Sequence, residues 1–418
     1  MTDTPTPDEF TFDDVACTVC GCVCDDLRVT VAGGAIVRAE NACRLAAPWF
    51  AEQGTVAAPC RIGGEPAAFA DSVARAAAIL SAAKSPLIYG LSRSTTDGQR
   101  RAVALADRLG ATIDTTASTG HAASIVALQQ VGESTCTLGE VKQRADLVVF
   151  WRSDPATTHP RHVERYCPPG TVNGRPRRVI VVDSALTETA KAADRFVDLP
   201  DGTDADALQR LRLMVRGLPV DATPELRDLA AELKRAKFAV VFFGTDLTRG
   251  RLGHRTVEAL LELVTELNDH TRAYARRMRR YSDVAGADSV LTWQTGYPFG
   301  VNFARGYPRY NPGEFTGPEM LARADADACL VVGSETVATF PPAALAGLRA
   351  IPTVLLDAPG RAPGFLPAVS FTTAVYGVHR PGTAYRLDEV PIPLRVLLPT
   401  DAPDDAGVLA AILAALEG

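Results

Sequence analysis

No apolar run among the 418 residues approaches the roughly 20 needed to cross a bilayer. Residues 1–9 are polar and acidic and lack the basic and apolar blocks of a secretory leader. A soluble, cytoplasmic chain with no membrane partner is expected. Positive charge is scarce as well: the formal net charge is −6, whereas general nucleic-acid binding asks for a basic surface. No nucleic-acid partner is expected, and any basic patch has to be local. The sequence has no repeat of fixed period and no low-complexity tract beyond alanine-rich stretches. What is present is ordinary globular composition, 47% hydrophobic and 22% charged. The length exceeds one ordinary core, so two or three packed domains are expected.

Residues 12–60 read as a small β-rich module: a cysteine loop, the hairpin pattern LRVTVAGGAIVRAEN turning at Gly33-Gly34, and a second loop holding Cys43. From residue 67 onward, alanine-rich helical segments alternate with short apolar runs: PLIYGL (86–91), DLVVFW (146–151), RVIVVD (178–183), FAVVFFG (238–244), ACLVVG (328–333) and TVLLDA (353–358). Continuous Val, Ile and Leu between helices marks parallel strands covered on both faces. Apolar residues recur at helical spacing in 69–83, 203–217 and 254–269, the covering helices. The expected fold class is α/β, two doubly wound Rossmann-like domains behind a small β-rich N-terminal cysteine module. The expected division is 1–60 for the module, 61–114 with 237–370 for a discontinuous first Rossmann-like domain, 115–236 for the second, and 371–418 for a C-terminal segment. Ligands on open α/β sheets gather at the carboxyl ends of the strands. That rule directs the search to Ser92-Arg93, Arg152-Ser153-Asp154, Asp183-Ser184, Gly244-Thr245 and Gly333-Ser334.

Of nine cysteines, four crowd into residues 17–24, which in a reducing compartment suggests metal ligation rather than a disulfide framework. Cys17, Cys20 and Cys24 at short offsets, with Cys43 at the far end of the hairpin, supply four thiolates that a compact loop can bring around one centre. Such sets hold a [4Fe-4S] cluster or structural zinc. The competing reading is four unrelated thiols. Cys22, between the ligands, is expected to point away. The scattered Cys60, Cys136, Cys167 and Cys329 read as small buried hydrophobes.

The stretch CTVCGCVCDDLRVTVAGGAIVRAENACRLAAPWF resembles the amino-terminal iron–sulfur module of molybdopterin oxidoreductases, and most of all that of the B subunit of formylmethanofuran dehydrogenase. The likeness continues through PLIYGLS, TTASTGHAAS, TLGEVKQRADLVVFW, DPATTHPRH, VIVVD, FFGTDLT, TWQTGYPFGVNFARGYPRYNPGE and GTAYRLDEVPI. It implies formate dehydrogenase-like domains 1–3, with Cys17, Cys20, Cys24 and Cys43 as cluster ligands and the strand-end segments as pterin-binding walls. It also implies that TTASTGH carries the active-site metal ligand. In the archaeal enzymes a metal-binding cysteine precedes the histidine of that segment, whereas here Gly120 precedes His121 and offers no atom to molybdenum or tungsten. Ser118 and Thr119 are nearby hydroxyls, but strand-like alternation would aim them differently from residue 120. Arg152 places a bulky cation in a crevice that should be lined by pterin.

The resemblance with these losses implies a subunit with no molybdopterin and no active site of its own. It is similar in this to the B subunit of the bacterial formyltransferase/hydrolase complex of methylotrophs, which moves a formyl group from tetrahydromethanopterin to methylofuran and releases formate. The implied partners are a metal-dependent hydrolase, a formyltransferase and a further structural subunit. The implied cofactor is methylofuran, a furan carrier with a polyglutamate tail. The alternative is an active molybdenum or tungsten formylmethanofuran dehydrogenase catalytic subunit with a substitute ligand.

The segment RAYARRMRRY sets Arg272, Arg276, Arg277, Arg279 and Arg280 in one stretch of an acidic chain. In a helix, Arg272, Arg276, Arg279 and Arg280 would share a face. A charge run is ordinarily a solvated face, yet five arginines with no interleaved acid repel one another and invite an anionic partner. With Arg152 and Arg380 from strand ends, they are the candidates to hold the carrier's tail, because guanidinium pairs bidentately with carboxylates and keeps its charge. The net charge argues against a third reading, nucleic-acid binding through the same run. His159 and His162 have no third metal ligand in view and are expected to hydrogen-bond or face an interface. His121 is expected to be a satisfied loop histidine.

Overall fold

Each of the six apolar runs forms a parallel strand whose middle is buried, as strands covered on both faces must be. The structure is a computed structural model that describes residues 9–54 and 60–417. The chain divides into two units, Met1–Gly120 with Tyr281–Gly418, and His121–Arg280.

The second unit is built on five strands in the order Arg195–Asp198, Arg178–Asp183, Leu147–Trp151, Phe238–Phe243, Arg272–Arg277, parallel at every pairing. From Leu147–Trp151 the chain winds outward through two strands to one edge. It then returns to lay Phe238–Phe243 and Arg272–Arg277 on the other side, so the strand order reverses between Leu147–Trp151 and Phe238–Phe243. One core packs Val149, Trp151, Ile180 and Val241 against Leu208, Leu229 and Leu260 from the helices. Helix Pro224–Arg235 shows how the sequence achieves this. Thr223 caps it by accepting from the Leu226 amide, Pro224 opens it without wasting a donor, and Leu226, Leu229, Ala230 and Leu233 form the buried stripe.

The first unit holds a nine-stranded sheet. Its centre is parallel: Thr112–Thr115, Pro86–Gly90, Ala328–Val332, Thr353–Asp357 and Val369–Thr372. Short antiparallel strands close both edges, Val301–Asn302 with Arg309–Tyr310 on one side and Cys60–Ile62 with Glu65–Pro66 on the other. Here the reversal lies between Pro86–Gly90 and Ala328–Val332. A separate antiparallel sheet of Phe10–Val15, Leu27–Ala32 and Ala35–Glu40 carries the cysteines. Gly33 and Gly34 turn its hairpin with φ of 58° and 75°, the left-handed pair a two-residue turn requires. The cysteine loop between the first two strands is held by its own chain. The Cys17 amide bonds the Cys24 carbonyl at 2.8 Å, the Leu387 amide bonds the Gly21 carbonyl at 2.8 Å, and Arg93 Nη1 bonds the Thr18 carbonyl at 2.9 Å.

Two features differ from expectation. Strand Phe238–Phe243 pairs with Leu147–Trp151 and Arg272–Arg277, so the chain leaves the second unit after Arg280 rather than at residue 236. All interior parallel strands look alike in sequence, and none announces which sheet it joins. The arginine run is also not a helix: Arg272–Arg277 is an edge strand. Among the described residues no helix is long and apolar enough to cross a membrane.

Candidate functional site

The strand-order reversal of the second unit opens a cavity of 630 Å³ at the carboxyl ends of its strands. Parallel strands that part company leave such a gap, and the residues just beyond each strand face into it. Arg152, Ser153 and Asp154 follow one strand, Asp183 and Ser184 the next, and Gly244, Thr245 and Asp246 a third. Those three sites are among the five strand ends singled out in the sequence. Gly244 is required here, because a Cβ would lie 2.1 Å from the Arg152 carbonyl oxygen.

Arg152 is buried and already engaged. Its Nε lies 2.9 Å from Asp204 Oδ1 and its Nη2 3.1 Å from Asp204 Oδ2, a bidentate pair, while Nη1 lies 3.1 Å from Asp201 and 3.6 Å from Asp183. Nη2 also donates to the Leu199 and Pro200 carbonyls. Such a guanidinium has at most one Nη1 hydrogen left for a ligand, and its charge is already met by carboxylates. Its backbone sits at φ 48°, a left-handed conformation that costs a non-glycine residue energy.

The six other arginines are dispersed. Arg276 and Arg277 are buried, the first donating to the Cys136 carbonyl at 2.7 Å and the second paired with Glu133. Arg279 is buried too, and its carbonyl accepts from His159. Arg272 is exposed at the start of the edge strand. Arg380 belongs to the first unit and donates to the Ala402 carbonyl at 2.9 Å. Arg280 alone of the run lines the cavity, and no described residue bonds or pairs with its guanidinium. Leu252 brings an exposed apolar side chain to the same cavity, and Leu186 stands exposed between two of its lining residues. The site therefore offers the Arg280 cation, several hydroxyls and an apolar rim, beside the carboxylates of Asp154, Asp183, Asp201, Asp204 and Asp246, of which Arg152 and Arg249 pair with all but Asp154.

His159 fixes the turn that delivers Arg280. Its Nε2 lies 2.7 Å from the Arg279 carbonyl, which only accepts, so Nε2 carries the proton and Nδ1 faces the Thr158 hydroxyl at 2.8 Å. Burial, with Arg280 adding, lowers its pKa to about 4. Unfolded, the ring protonates near 6.5, so the unfolded state takes up the proton first and stability falls as pH drops from 6.5 to 4, by on the order of 3 kcal/mol. Asp114, raised to about 7 by burial, and Asp405, raised to about 6 by burial, act in the opposite sense. The check is therefore a difference. Wild type should lose about 3 kcal/mol more than His159→Gln across that window in denaturant titrations; parallel pH profiles would refute it. His162 sits 4.7 Å from Phe242 and 5.6 Å from Tyr166, ring to ring, in an aromatic cluster.

The equivalent reversal in the first unit is filled. Arg93 reaches the cysteine loop, Ser92 bonds Glu335, Ser334 bonds Asp357, and a cavity of only 30 Å³ remains. Gly90 sits so close that a Cβ would meet the Val332 carbonyl oxygen at 2.2 Å. In TTASTGH, residues Ala117–Gly120 form a helical turn rather than an alternating strand. The Ser118 and Thr119 hydroxyls donate back to the Thr115 and Thr116 carbonyls at 3.1 and 3.0 Å. His121 is buried and precedes helix Ala122–Val131, its carbonyl accepting from the Ser124 hydroxyl at 2.7 Å.

Cys17, Cys20 and Cys24 are buried and Cys43 is half-buried. Burial pushes the Cys17 thiol well above its ordinary range, and Cys20, Cys24 and Cys43 add to the rise, so the four thiols share one neighbourhood. Cys22 does not point away: its thiol bonds to Cys20 and lowers that group's pKa. In donor chemistry the four fit a thiolate metal centre, although among the described residues no three His, Cys, Asp or Glu side chains stand as a ligand set.

No model of a known protein family matches the chain. The B subunit of tungsten-containing formylmethanofuran dehydrogenase 2 from Methanocaldococcus jannaschii is 38% identical over 415 residues, covering 94% of each protein. The chain belongs to the family of formylmethanofuran dehydrogenase B subunits. The counterpart from Methanococcus maripaludis is 36% identical over 407 residues, 93% of this chain and 94% of that one. The B subunit of the formyltransferase/hydrolase complex Fhc of Methylorubrum extorquens is 27% identical over 282 residues, 64% of this family member and 73% of that one. The crystal structure of that organism's complex, FhcABCD with methylofuran, contains a chain matching with a TM-score of 0.73 at 24% identity, over 86% of this chain and 98% of that one. Acetylene hydratase from Pelobacter acetylenicus matches with a TM-score of 0.66 at 12% identity, over 96% of this chain and 69% of its own. The fold is thus the α/β fold shared with these two structures, doubly wound as expected.

Proposed function

We propose that the chain is the non-catalytic B subunit of a formyltransferase/hydrolase complex, in which formyl-tetrahydromethanopterin yields formate through formyl-methylofuran. Gly120 carries the reading. It stands where the family's metal-binding thiolate belongs, and the adjacent hydroxyls are turned to their own backbone. The metal-dependent hydrolase, the formyltransferase and a further structural subunit would be its partners. Arg280 and the cavity beside it would hold part of the furan carrier, and Cys17, Cys20, Cys24 and Cys43 would hold a [4Fe-4S] cluster or zinc.

The greater identity to tungsten-containing relatives favours a second reading, an active tungsten or molybdenum subunit. Elemental analysis of the complex, purified without oxygen from its native host, separates the two. The proposal expects no tungsten or molybdenum above trace and no formyl-dependent dye reduction; stoichiometric metal with bound pterin supports the rival. Gly120→Cys is a useful companion variant. A Cβ at residue 120 meets nothing within 4 Å and its backbone is not left-handed, so the melting temperature should move by less than about 2 °C. The new thiol should react with maleimide yet bring in no tungsten.

A further inference from the structure

Helices Thr96–Leu109 and Asp405–Ala415 of the first unit border an open groove of 570 Å³. Its floor is made of Ala104, Ala406, Gly407 and Ala410, which carry at most a methyl group. Helices pack 8–10 Å apart depending on the side chains between them, so a floor of this kind admits a third helix at the close end of that range. The two helices already bury their large apolar residues beneath the groove, Val103 and Leu105 from one and Val408, Leu409 and Ile412 from the other.

Arg100 and Arg101 stand on the groove's edge, on the same exposed stripe as Ala104, and Asp97 one turn before them is the groove's single lining carboxylate, so the edge keeps a net positive charge. Both are exposed, and neither bonds or pairs with a described residue. Several exposed arginines of this unit find acids at home, Arg28 with Asp13 at 3.3 Å, Arg38 with Glu40 at 3.3 Å, and Arg323 with Asp325 at 2.7 Å, whereas Arg75 and Arg305 stand singly without one among the described residues. Two adjacent guanidiniums left over in a chain of net charge −6 are therefore complementary to carboxylates from outside it. Gln294 lines the groove, and its neighbour Trp293 is 54% exposed, steadied edge-on by Tyr385 at 5.7 Å. An exposed indole with a fixed orientation is the kind of side chain that anchors an interface.

We infer that this groove seats an acidic amphipathic α-helix of a partner subunit. The helix lays its apolar stripe on the alanine floor, its carboxylates meet Arg100 and Arg101, and an apolar side chain covers Trp293. The inference rests on the reading that the chain works inside a complex.

The test uses the tagged full-length chain expressed in its native host, with the co-purifying subunits counted by native mass spectrometry. Arg100→Glu with Arg101→Glu, and separately Ala104→Trp, should each cut the retained amount of one partner about tenfold or more. Arg100→Lys with Arg101→Lys should keep it. Arg100, Arg101 and Ala104 are exposed, and circular dichroism should show the fold unchanged. A photo-crosslinker at Ala410 should join a partner peptide with Asp or Glu at helical spacing. A wild-type chain that purifies alone overturns both this inference and the proposed function. A wild-type complex left intact by the groove variants, or a crosslink to a second copy of this chain, overturns the groove alone.

Discussion

Arg152→Ala should destabilise the second unit by about 3–5 kcal/mol, the cost of stranding buried charges when one partner is removed. The Arg152 side chain is 3% exposed, Asp204 13% and Asp183 15%, while Asp201 at 87% contributes little. Losing the guanidinium leaves Asp204 with only the Trp151 indole, which donates to it at 2.8 Å. The same indole reports unfolding by fluorescence, and Asp204→Asn should remove part of the loss by taking away the orphaned charge. Arg152→Lys should recover only a fraction, because an ammonium cannot span both oxygens of Asp204. Arg152→Gly should cost about 1 kcal/mol less than Arg152→Ala, since glycine accepts the left-handed backbone. Equal unfolding midpoints for wild type and Arg152→Ala would show the ion cluster to be decorative.

The second large effect is expected at the cysteines. Replacing any one of Cys17, Cys20, Cys24 and Cys43 by Ser should cut bound iron or zinc to a small fraction. Melting should fall by several degrees, about 2–4 °C for each kcal/mol lost in a protein of this size. Cys22→Ser is the internal control: it should keep the metal, since Cys22 bonds Cys20 rather than completing the set. Inductively coupled plasma analysis measures the metal, and visible absorption separates a cluster from zinc. Four variants that retain parental metal and melting would remove the site.

Much of the fold was legible because its strands are buried on both faces and so spell continuous apolar runs. PLIYGL, DLVVFW and TVLLDA can hardly be anything but interior strands. Strand-end reasoning then found Arg152, Asp183 and Gly244 around one crevice without knowing how the sheet was ordered. What failed was whatever depended on distant partners. RAYARR has the composition of a solvated helix, and partners some 140 residues away in sequence, Glu133 and the Cys136 carbonyl among them, make Arg276 and Arg277 tolerable inside. Arg152 could be read as a foreign cation in the crevice, but not as one already engaged, because Asp201 and Asp204 lie 49 and 52 residues later. The closure of the first unit's crevice was equally silent, resting on Arg93 reaching Thr18 across 75 positions.

The cysteine loop also bears on how a thiol variant should be read. Its backbone is drawn together by the Cys17–Cys24 amide bond, roofed by Leu387 and braced by Arg93, all contacts among protein atoms. None of these bonds uses a thiol sulfur, so exchanging one sulfur for oxygen leaves them in place. A change in such a variant then reports on what the sulfurs hold and not on the path of the backbone around them.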